Sequence, residues 1–461
     1  MRHIAVLDIG KTNAKVLLID LASGTETTAL KRPNAVVQAA PYPHYDAEGL
    51  WAFLLEGLRQ SAGRHRIDAI SITTHGAAAA LVDATGSLAL PILDYEHDGP
   101  DSCADYDALR PDFAETGAPR LPGGLNLGAQ IHWQARTFPQ AFARVAQILT
   151  YPQYWAWRLT GVAASEPTSL GCHTDLWNPF AGDFSSLVDR MGWRGLFPPL
   201  RPASAVLGPI LPQVARATGL PPDTPVLCGI HDSNASLVPH LGDPGPRAVL
   251  STGTWMIAMA LGGRRRALDA SRDVLVNVNA RGEPTPTARY MAGREFDEIT
   301  GGHIVAPSEA QLRAVLRDGT IALPSRHPDT GPFPGLRFCW QPAAPDDAAA
   351  RTAAASFYAA LMGAECLDLI GAAGPTIVEG PFAGNPAFAR MLATATGRPV
   401  MATGPGAGTG LGAALLAGPL TAARPAISEV KPETDPLWTG YAAAWRARVG
   451  QLWAARRADP A

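Results

Sequence analysis

The feature that most constrains the fold is the opening stretch of the chain, in which two apolar runs flank a short polar turn. The runs at residues 4–7 and 16–19 have the length and composition of buried β-strands. The turn at residues 8–13 contains Gly and Asn, which tolerate backbone angles that most residues avoid. The stretch therefore predicts a β-hairpin that opens a sheet and carries a carboxylate just before its tip.

The tip of this hairpin has the residue types of a phosphate site. Gly10 lets backbone amides come close to an anion, and Lys11, Thr12 and Asn13 add donors. Because Asp8 would repel a nearby phosphate, a divalent cation is needed between them, which predicts Mg²⁺ and phosphate at the tip. The residues alone also fit an ordinary hairpin with a polar turn. A Walker loop is excluded, because its glycine-lysine pattern is absent and no helix follows.

Composition excludes several classes of protein. The chain has 461 residues, which predicts two or three domains. Its net charge of −3 (38 − 41) argues against a nucleic-acid partner. Five scattered cysteines without a Cys-x-x-Cys pair favour reduced thiols, not disulfides or zinc. With no apolar run of about 18 residues and no signal peptide, we expect a cytoplasmic protein without a membrane partner. Oligomeric state stays open, and the Ala/Gly-rich helices fit either a core or a homodimer interface.

Strands alternate with helices in the first half, which places it in the α/β class. Strands are predicted at residues 25–30, 67–73, 78–82, 147–150 and 225–229, and helices at 47–62, capped by Asp46, and at 151–161, closed by Gly161. The aromatic residues of the second helix are interpreted as core.

A linker at residues 241–246 precedes a second strand-turn-strand pattern at 248–260. This recurrence suggests a duplicated architecture with a cleft between the halves. Further on we expect a helix at 348–370, a strand at 375–379, a turn at 380–385, a helix at 386–396, a strand at 399–401, a helix at 413–417 and a peripheral helix at 435–457.

Three side chains at strand ends are candidates for chemistry. Asp232 follows a buried strand and fits a general base or a metal ligand, although Asp232 or Ser233 equally fits a helix N-cap. Asp8 has the same alternative. Both lie at the carboxyl ends of strands, where ligand sites form in α/β proteins. His75 fits either a structural residue or a hydrogen-bond donor to a polar substrate.

Two glycine-containing stretches are further candidates for phosphate or adenine contacts. These are the turn Thr252-Gly253-Thr254 and the run at residues 404–412, with helix-packing glycines as the alternative for the run. The run is not interpreted as a dinucleotide fingerprint, because it lies near the C-terminus and no acidic residue follows about 20 residues later on a second predicted strand. No serine-nucleophile elbow or zinc-binding motif occurs, so serine hydrolases and zinc enzymes are excluded.

Taken in order, six segments resemble the FGGY carbohydrate kinases, and the resemblance covers roughly residues 4–418. They are the first hairpin at 8–13, a His-Gly segment at 72–77, the segment at 229–235, the second hairpin at 251–254 and two adenosine-type segments at 379–385 and 406–412. An Arg-Leu-Thr-Gly landmark at 158–161 is interpreted as structural.

The resemblance implies an α/β protein with two domains of the actin-like ATPase (ribonuclease H-like) fold and a central cleft. Residues 1–243 would form the sugar-binding domain with the catalytic aspartate, and residues 244–461 the nucleotide-binding domain. Asp232 would be the general base and Asp8 would hold Mg²⁺. By the same resemblance, phosphate contacts would come from Thr12, Asn13, Thr252 and Gly253, nucleotide contacts from Gly380, Asn385 and Gly408, and sugar contacts from His75, Glu96 and Asp232.

The implied activity is ATP-dependent phosphorylation of a small sugar, in particular a ketose such as L-rhamnulose, L-fuculose or a xylulose. A non-catalytic sugar or nucleotide sensor on the same scaffold is the alternative, and a phosphatase or hydrolase is a third. Retention of Asp8 and Asp232 argues against the sensor.

Three departures from the family pattern affect specific contacts. Lys11 stands where many members have Thr or Ser, Gly380-Pro381-Phe382 replaces a triple glycine, and the His231-Asp232-Ser233 segment is closer to the deoxy-ketose kinases than to glycerol kinase.

Overall fold

The structure, a computed structural model, describes residues 1–403, 408–420 and 428–458, without the side chains of residues 28 and 29. These residues form two compact units. The first comprises Met1–Asp243, Val276–Pro284 and the described part of residues 407–423, and the second comprises the rest of the described chain from Pro244 onward. The boundary after Asp243 falls inside the 241–246 segment. No helix of the described ranges has the length and apolarity needed to cross a membrane.

The strands of the described chain are, in order, β1 His3–Ile9, β2 Asn13–Asp20, β3 Thr25–Pro33, β4 Val36–Val37, β5 His44–Tyr45, β6 Ala69–Thr74, β7 Ala79–Asp83, β8 Leu88–Leu90, β9 Val145–Thr150, β10 Trp177–Asn178, β11 Asp183–Phe184, β12 Val206–Pro209, β13 Pro225–Leu227, β14 Ile230–His231, β15 Arg247–Thr252, β16 Met256–Leu261, β17 Val274–Val278, β18 Pro284–Tyr290, β19 Ile321–Leu323, β20 Cys339–Gln341, β21 Thr376–Glu379, β22 Val400–Ala402 and β23 Ser428–Val430.

The α-helices are α1 Ala47–Ala62, α2 Tyr106–Leu109, α3 Phe113–Thr116, α4 Leu127–Thr137, α5 Pro139–Phe142, α6 Tyr151–Thr160, α7 Pro167–Leu170, α8 Ser186–Arg190, α9 Pro212–Thr218, α10 Asp232–Ala235, α11 Val238–Leu241, α12 Ala292–Thr300, α13 Glu309–Asp318, α14 Ala348–Leu369, α15 Pro386–Thr396, α16 Thr409–Leu415 and α17 Pro436–Ala458.

The main sheet of the first unit confirms the predicted opening hairpin. Its order is β12-β13-β6-β1-β2-β3, and β14 also pairs with β6. β1 pairs with β2 in antiparallel fashion and with β6 in parallel. Alternate residues of β1 enter two cores: Leu7 joins the core that contains Leu54 of α1, whereas Val6 joins the core that contains Ala413 of α16. Because β1 is covered on both faces, it reads as a continuous apolar run.

The predicted helices of the first unit also form. Asp46 caps α1, since its carboxylate accepts a hydrogen bond from the Gly49 N–H at 2.9 Å. Gly161 ends α6 in the left-handed conformation, with φ of 75°. Tyr154 and Trp155 of α6 are buried, which confirms that these aromatic residues belong to the core.

A second seven-stranded sheet, most of whose residues belong to the second unit, has the order β17-β18-β16-β15-β21-β22-β23. Its β15–β16 hairpin is antiparallel, and β15 pairs in parallel with β21, as β1 does with β6 in the first unit. Helix α14 is mostly buried, as its low charge indicates.

The prediction that the C-terminal helix is peripheral is wrong. In α17, Trp438, Tyr441, Trp445 and Val449 are buried in the core of the second unit. Their spacing of three or four residues places them on one face of the helix. The indole N–H of Trp445 donates to the Ala322 carbonyl at 2.9 Å, so this buried polar group is satisfied.

Candidate active site

The register of three parallel strands brings the predicted catalytic residues of the first unit together. Asp8 on β1 and Ile230 on β14 both pair with Thr73 of β6, one from each side. The three strands therefore end at the same edge of the sheet. Asp232 follows β14 directly, and His75 follows β6 between the two aspartates.

Asp8 is buried, with 7% of its surface exposed. Its carboxylate lies 3.5 Å from both the Lys15 ammonium and the Thr409 hydroxyl, neither of which the sequence singled out. Burial raises the pKa of Asp8, and the negative charge of Asp232 raises it further, while Lys15 acts in the opposite direction. Two carboxylates that repel each other at one sheet edge fit a hard divalent cation such as Mg²⁺.

Asp232 is the first residue of α10, not its cap. The N-cap position belongs to His231, so the prediction that Asp232 or Ser233 caps this helix is wrong. The Asp232 carboxylate accepts the Ser233 N–H at 2.6 Å and keeps 28% of its side-chain surface exposed. Burial raises the pKa of Asp232, against smaller opposing effects of His75 and Ser233. A recessed carboxylate of raised pKa is suited to accept a proton.

The ring of His231 contacts the Asp232 carboxylate. The Asn234 amide nitrogen lies 3.0 Å from His231 Nδ1, so Nδ1 accepts and Nε2 carries the proton. Nε2 lies 3.2 Å from Asp232 Oδ1 and 3.3 Å from Cys172 Sγ. Burial lowers the pKa of His231 to about 4, which keeps the ring neutral. A Cβ at Gly76 would lie 2.9 Å from Nε2, so this close approach requires glycine.

A buried carboxylate that the sequence did not identify supports the same loop. Glu166 caps α7 and accepts hydrogen bonds from the backbone and hydroxyl groups of Thr168 and Ser169. The Thr168 hydroxyl in turn accepts the His231 N–H at 3.1 Å. Burial raises the pKa of Glu166 to about 7. The only sequence signal for Glu166 is its place before Pro-Thr-Ser, which is typical of a helix start.

His75 presents an acceptor where the sequence suggested a donor. Its Nδ1 lies 2.8 Å from the Gly76 carbonyl, which can only accept, so Nδ1 carries the proton. Nε2 is buried and has no hydrogen-bond partner within the described ranges. Burial lowers the pKa of His75 to about 4. The prediction that His75 donates is therefore corrected: the lone pair of Nε2 is suited to accept a hydrogen bond from a hydroxyl group.

At the hairpin tip, the side chains separate into two groups. The Thr12 hydroxyl is exposed and accepts the Asn13 amide at 3.0 Å. The Lys11 ammonium instead forms ion pairs with Asp94 and, at 3.3 Å, with Glu96. Thr12 and Asn13 thus remain at the tip as predicted phosphate contacts, whereas Lys11 is bonded to the segment that contains the predicted sugar contact Glu96.

In the second unit, the predicted phosphate turn packs against the predicted nucleotide loop. The Thr252 hydroxyl donates to the Glu379 carbonyl and accepts the Phe382 N–H at 3.2 Å. Gly380 has φ of 83°, and a Cβ there would lie 2.0 Å from the Thr252 carbonyl oxygen. Only glycine allows the two backbones to approach this closely.

Beside this junction lies a cavity of about 920 Å³ within the second unit. Gly253, Phe296, Pro307, Phe382 and Asn385 are among its lining residues. Its size and mostly apolar lining fit a nucleoside. The glycine-dependent approach next to it provides the open backbone that a phosphate group requires.

Two predicted nucleotide contacts have different surroundings. The Asn385 amide caps α15 by accepting the Phe388 N–H and donates to the Ser356 hydroxyl, so both ends of the amide already have protein partners. Gly408 is exposed and belongs to the first unit, directly before Thr409. Residues 404–407 of the predicted glycine-rich run lie outside the described residues.

A third cluster, in the first unit, brings possible metal ligands together. Single ligand atoms of Cys103, Asp105 and His132 lie within 4.8 Å of one another. The Arg136 guanidinium donates to the Asp105 carboxylate at 2.7 Å. Because a cation already neutralises this carboxylate, we assign no metal to the cluster.

Two family models match the chain in succession. The model of the FGGY family of carbohydrate kinases, N-terminal domain, matches residues 3–239. The model of the carbohydrate kinase FGGY, C-terminal domain, matches residues 244–425. The chain therefore belongs to the FGGY family of carbohydrate kinases, which confirms the family predicted from its motifs.

Similar proteins agree with this assignment. A carbohydrate kinase from Novosphingobium aromaticivorans is 38% identical, with a TM-score of 0.89 over 98% of this chain and 99% of that chain. A xylulose kinase from Rhodospirillum rubrum, 20% identical, has a TM-score of 0.77 over 99% of both chains and supports the fold alone. The predicted two-domain actin-like ATPase fold is thereby confirmed. An L-fuculokinase from Salmonella typhi is 28% identical over 57% of each chain, little more than half its length.

Proposed function

We propose that this chain transfers the γ-phosphoryl group of ATP to a hydroxyl of a small sugar, in particular a ketose such as L-rhamnulose, L-fuculose or a xylulose. The observation that carries the proposal is that two side chains follow neighbouring strands at one sheet edge: Asp232, a recessed carboxylate of raised pKa, and His75, whose buried Nε2 has no hydrogen-bond partner among the described residues. The similarity to an L-fuculokinase supports a ketose as the acceptor.

In this proposal Asp232 takes the proton of the attacking sugar hydroxyl. Its Oδ1 is oriented by the Ser233 N–H and by His231, so the other oxygen is available to the substrate. A positioned base typically contributes about 10²–10⁴-fold to the rate. His75 accepts a hydrogen bond from a second sugar hydroxyl through Nε2, and Glu96 contacts the sugar from the neighbouring segment. Both contacts orient the acceptor for in-line transfer.

Asp8 would hold Mg²⁺ through water, with Lys15 and Thr409 beside its carboxylate. The cation supplies neutralisation of phosphate charge, which phosphoryl transfer requires. The Thr12 hydroxyl and the Asn13 amide would contact phosphate from the first hairpin.

Residues 1–243 would thus act mainly as the sugar domain and residues 244–461 as the nucleotide domain. The second domain would contact phosphate with Thr252 and Gly253 and the nucleoside with Gly380 and Asn385, and Gly408 would add a contact from the glycine-rich run. The 920 Å³ cavity next to Gly253 supports this division. We also infer a cytoplasmic location, where ATP is available; the five cysteines are far apart in the sequence and form no Cys-x-x-Cys pair, which is typical of a reducing compartment.

The test is ADP release with Mg²⁺ and ATP across a panel of ketoses, aldoses and polyols, for wild type and Asp232→Asn side by side. We expect one sugar to stimulate release strongly, and the variant to lose this stimulation. If no sugar raises ADP release while calorimetry detects sugar or ATP binding, the chain is a sensor. If ADP release is fast without any sugar, it is a hydrolase.

A further inference from the structure

Lys11 lies at the tip of the predicted phosphate hairpin, yet its ammonium is bonded elsewhere. Nζ forms ion pairs with the carboxylates of Asp94 and Glu96, the second at 3.3 Å. Asp94 is only 5% exposed, and its Oδ1 also accepts the Tyr45 hydroxyl at 3.2 Å. A buried carboxylate of this kind needs a cationic partner, since an unpaired charge is costly to bury.

Two tyrosine rings connect Lys11 to the predicted sugar contact His75. Lys11 Nζ lies 4.6 Å from the centre of the Tyr95 ring and 5.4 Å from that of Tyr45, both within cation–π range. The His75 ring packs on the same two rings, with centroids 5.5 Å and 5.1 Å apart. The ammonium and the free Nε2 of His75 therefore share a wall made of Tyr45 and Tyr95.

The segment that Lys11 holds is also the one that carries Glu96. Glu96 has 67% of its side-chain surface exposed, so little besides the Lys11 contact restrains its carboxylate. Its backbone N–H lies 3.4 Å from Asp94 Oδ1, so Asp94 links the lysine to the same segment. Loss of the ammonium would release Glu96 and leave Asp94 buried without its cation.

We propose that Lys11 belongs to the acceptor-sugar site, where it positions Glu96 and Tyr95, and not to the phosphate site. The assignment rests on the proposed kinase function. It also narrows the substrate class, because around Lys11 one ammonium faces two carboxylates, Asp94 and Glu96. This wall has excess negative charge, so it favours a neutral polyhydroxy sugar and disfavours a sugar acid.

The test compares how the loss of the Lys11 ammonium changes the KM for the sugar and the KM for ATP. Steady-state kinetics of Lys11→Met with the best sugar of the wild-type enzyme should show a KM for the sugar raised about 10–100-fold, the range expected for losing hydrogen bonds to charged groups. The KM for ATP should change less than about threefold. Lys31→Met, which removes an exposed ammonium from β3, should match wild type in both constants.

A second variant covers the case in which Lys11→Met fails to fold. Glu96→Gln changes an exposed side chain and should raise the sugar KM alone, by about 3–10-fold. The assignment would be overturned if Lys11→Met raised the KM for ATP, or made that KM more sensitive to sodium chloride, while the KM for the sugar stayed unchanged. An aldonic acid phosphorylated as well as the neutral sugar would overturn the substrate class. Absence of any sugar-dependent turnover in wild type would overturn the proposed function itself, and with it this inference.

Discussion

The two hairpins, β1–β2 and β15–β16, share a backbone plan and differ in chemistry. Each joins its strands through three residues that begin with glycine. In each the glycine N–H donates across the turn at 2.9 Å, from Gly10 to the Asn13 carbonyl and from Gly253 to the Trp255 carbonyl. The first strand of each hairpin has a parallel neighbour on its other side.

The difference lies two residues before each glycine. The first hairpin has Asp8 there, buried beside Lys15, whereas the second has the uncharged Ser251. In the second hairpin, the Thr252 hydroxyl instead bonds the backbone on both sides of Gly380, at Glu379 and Phe382. The two hairpins thus share a backbone plan, while their side chains decide which one places a carboxylate near its tip and which one packs against a glycine loop.

The largest expected effect is a loss of activity on removal of the Asp8 charge, which only the first hairpin has at this position. Asp8→Asn should lower kcat by about 10²–10³-fold, as does removal of a single group that stabilises transition-state charge. Ser251→Ala, the matched change in the second hairpin, should cost less than about tenfold. ADP release measured over a range of Mg²⁺ concentrations checks both. Equal losses in the two variants would contradict the assignment of the cation to the first hairpin.

The next effect concerns the glycine loop. Gly380→Ala should raise the KM for ATP at least about tenfold and destabilise the chain by about 1–3 kcal/mol, because the new Cβ meets the Thr252 carbonyl at 2.0 Å. The KM for sugar should change little. The control is Gly440→Ala on α17, where nothing lies within 4 Å of the new Cβ. Calorimetry measures nucleotide binding and thermal unfolding measures stability. Equal nucleotide affinity and equal stability of the two variants would contradict the account.

A matched pair of threonines gives a smaller effect. Thr252→Val removes a hydroxyl with two backbone partners and should lower the free energy of unfolding by about 1–3 kcal/mol. Thr12→Val removes an exposed hydroxyl whose partner is the Asn13 amide and should cost less than about 0.5 kcal/mol. Urea unfolding measures both. Similar stability losses would show that the two tips are held in the same way.

The smallest expected effect is a pH-dependent gain in stability. Burial raises the pKa of Asp232, so its ionised form is less stable in the folded than in the unfolded chain. Asp232→Asn should therefore be more stable than wild type at neutral pH, although it should phosphorylate the sugar far more slowly. As pH falls through the raised pKa towards the ordinary value near 4, wild-type Asp232 becomes protonated and the difference disappears. A stability gain that does not change with pH would exclude ionisation as its cause.

Short-range patterns in the sequence predicted the elements that carry the site. Both hairpins, the cap at Asp46 and the end of α6 at Gly161 formed as expected, because each depends on residues within a few positions. The placement of Asp8 and Asp232 at strand ends could also be predicted, since ligand sites in α/β proteins form at the carboxyl ends of strands. The predicted strand at 225–229 is instead two short strands, β13 and β14, with Asp232 directly after the second.

What the sequence missed depends on distant partners. Lys11 is 83 residues from Asp94, so no local pattern could show that it leaves the phosphate tip. The protonated nitrogen of His75 follows from the position of the Gly76 carbonyl in the folded chain. The burial of Trp438 on α17, in contrast, has a local signal, because large apolar residues recur every three or four positions along this helix.

The most direct test of the central claim, that Asp232 is the base of a sugar kinase, is transfer of a radiolabelled γ-phosphoryl group from ATP. In wild type we predict that the label appears in the sugar. In Asp232→Asn the same product should form about 10²–10⁴-fold more slowly, with the sugar Kd from calorimetry unchanged within about threefold. Label released only as inorganic phosphate, or a variant that transfers it as fast as wild type, would contradict the account.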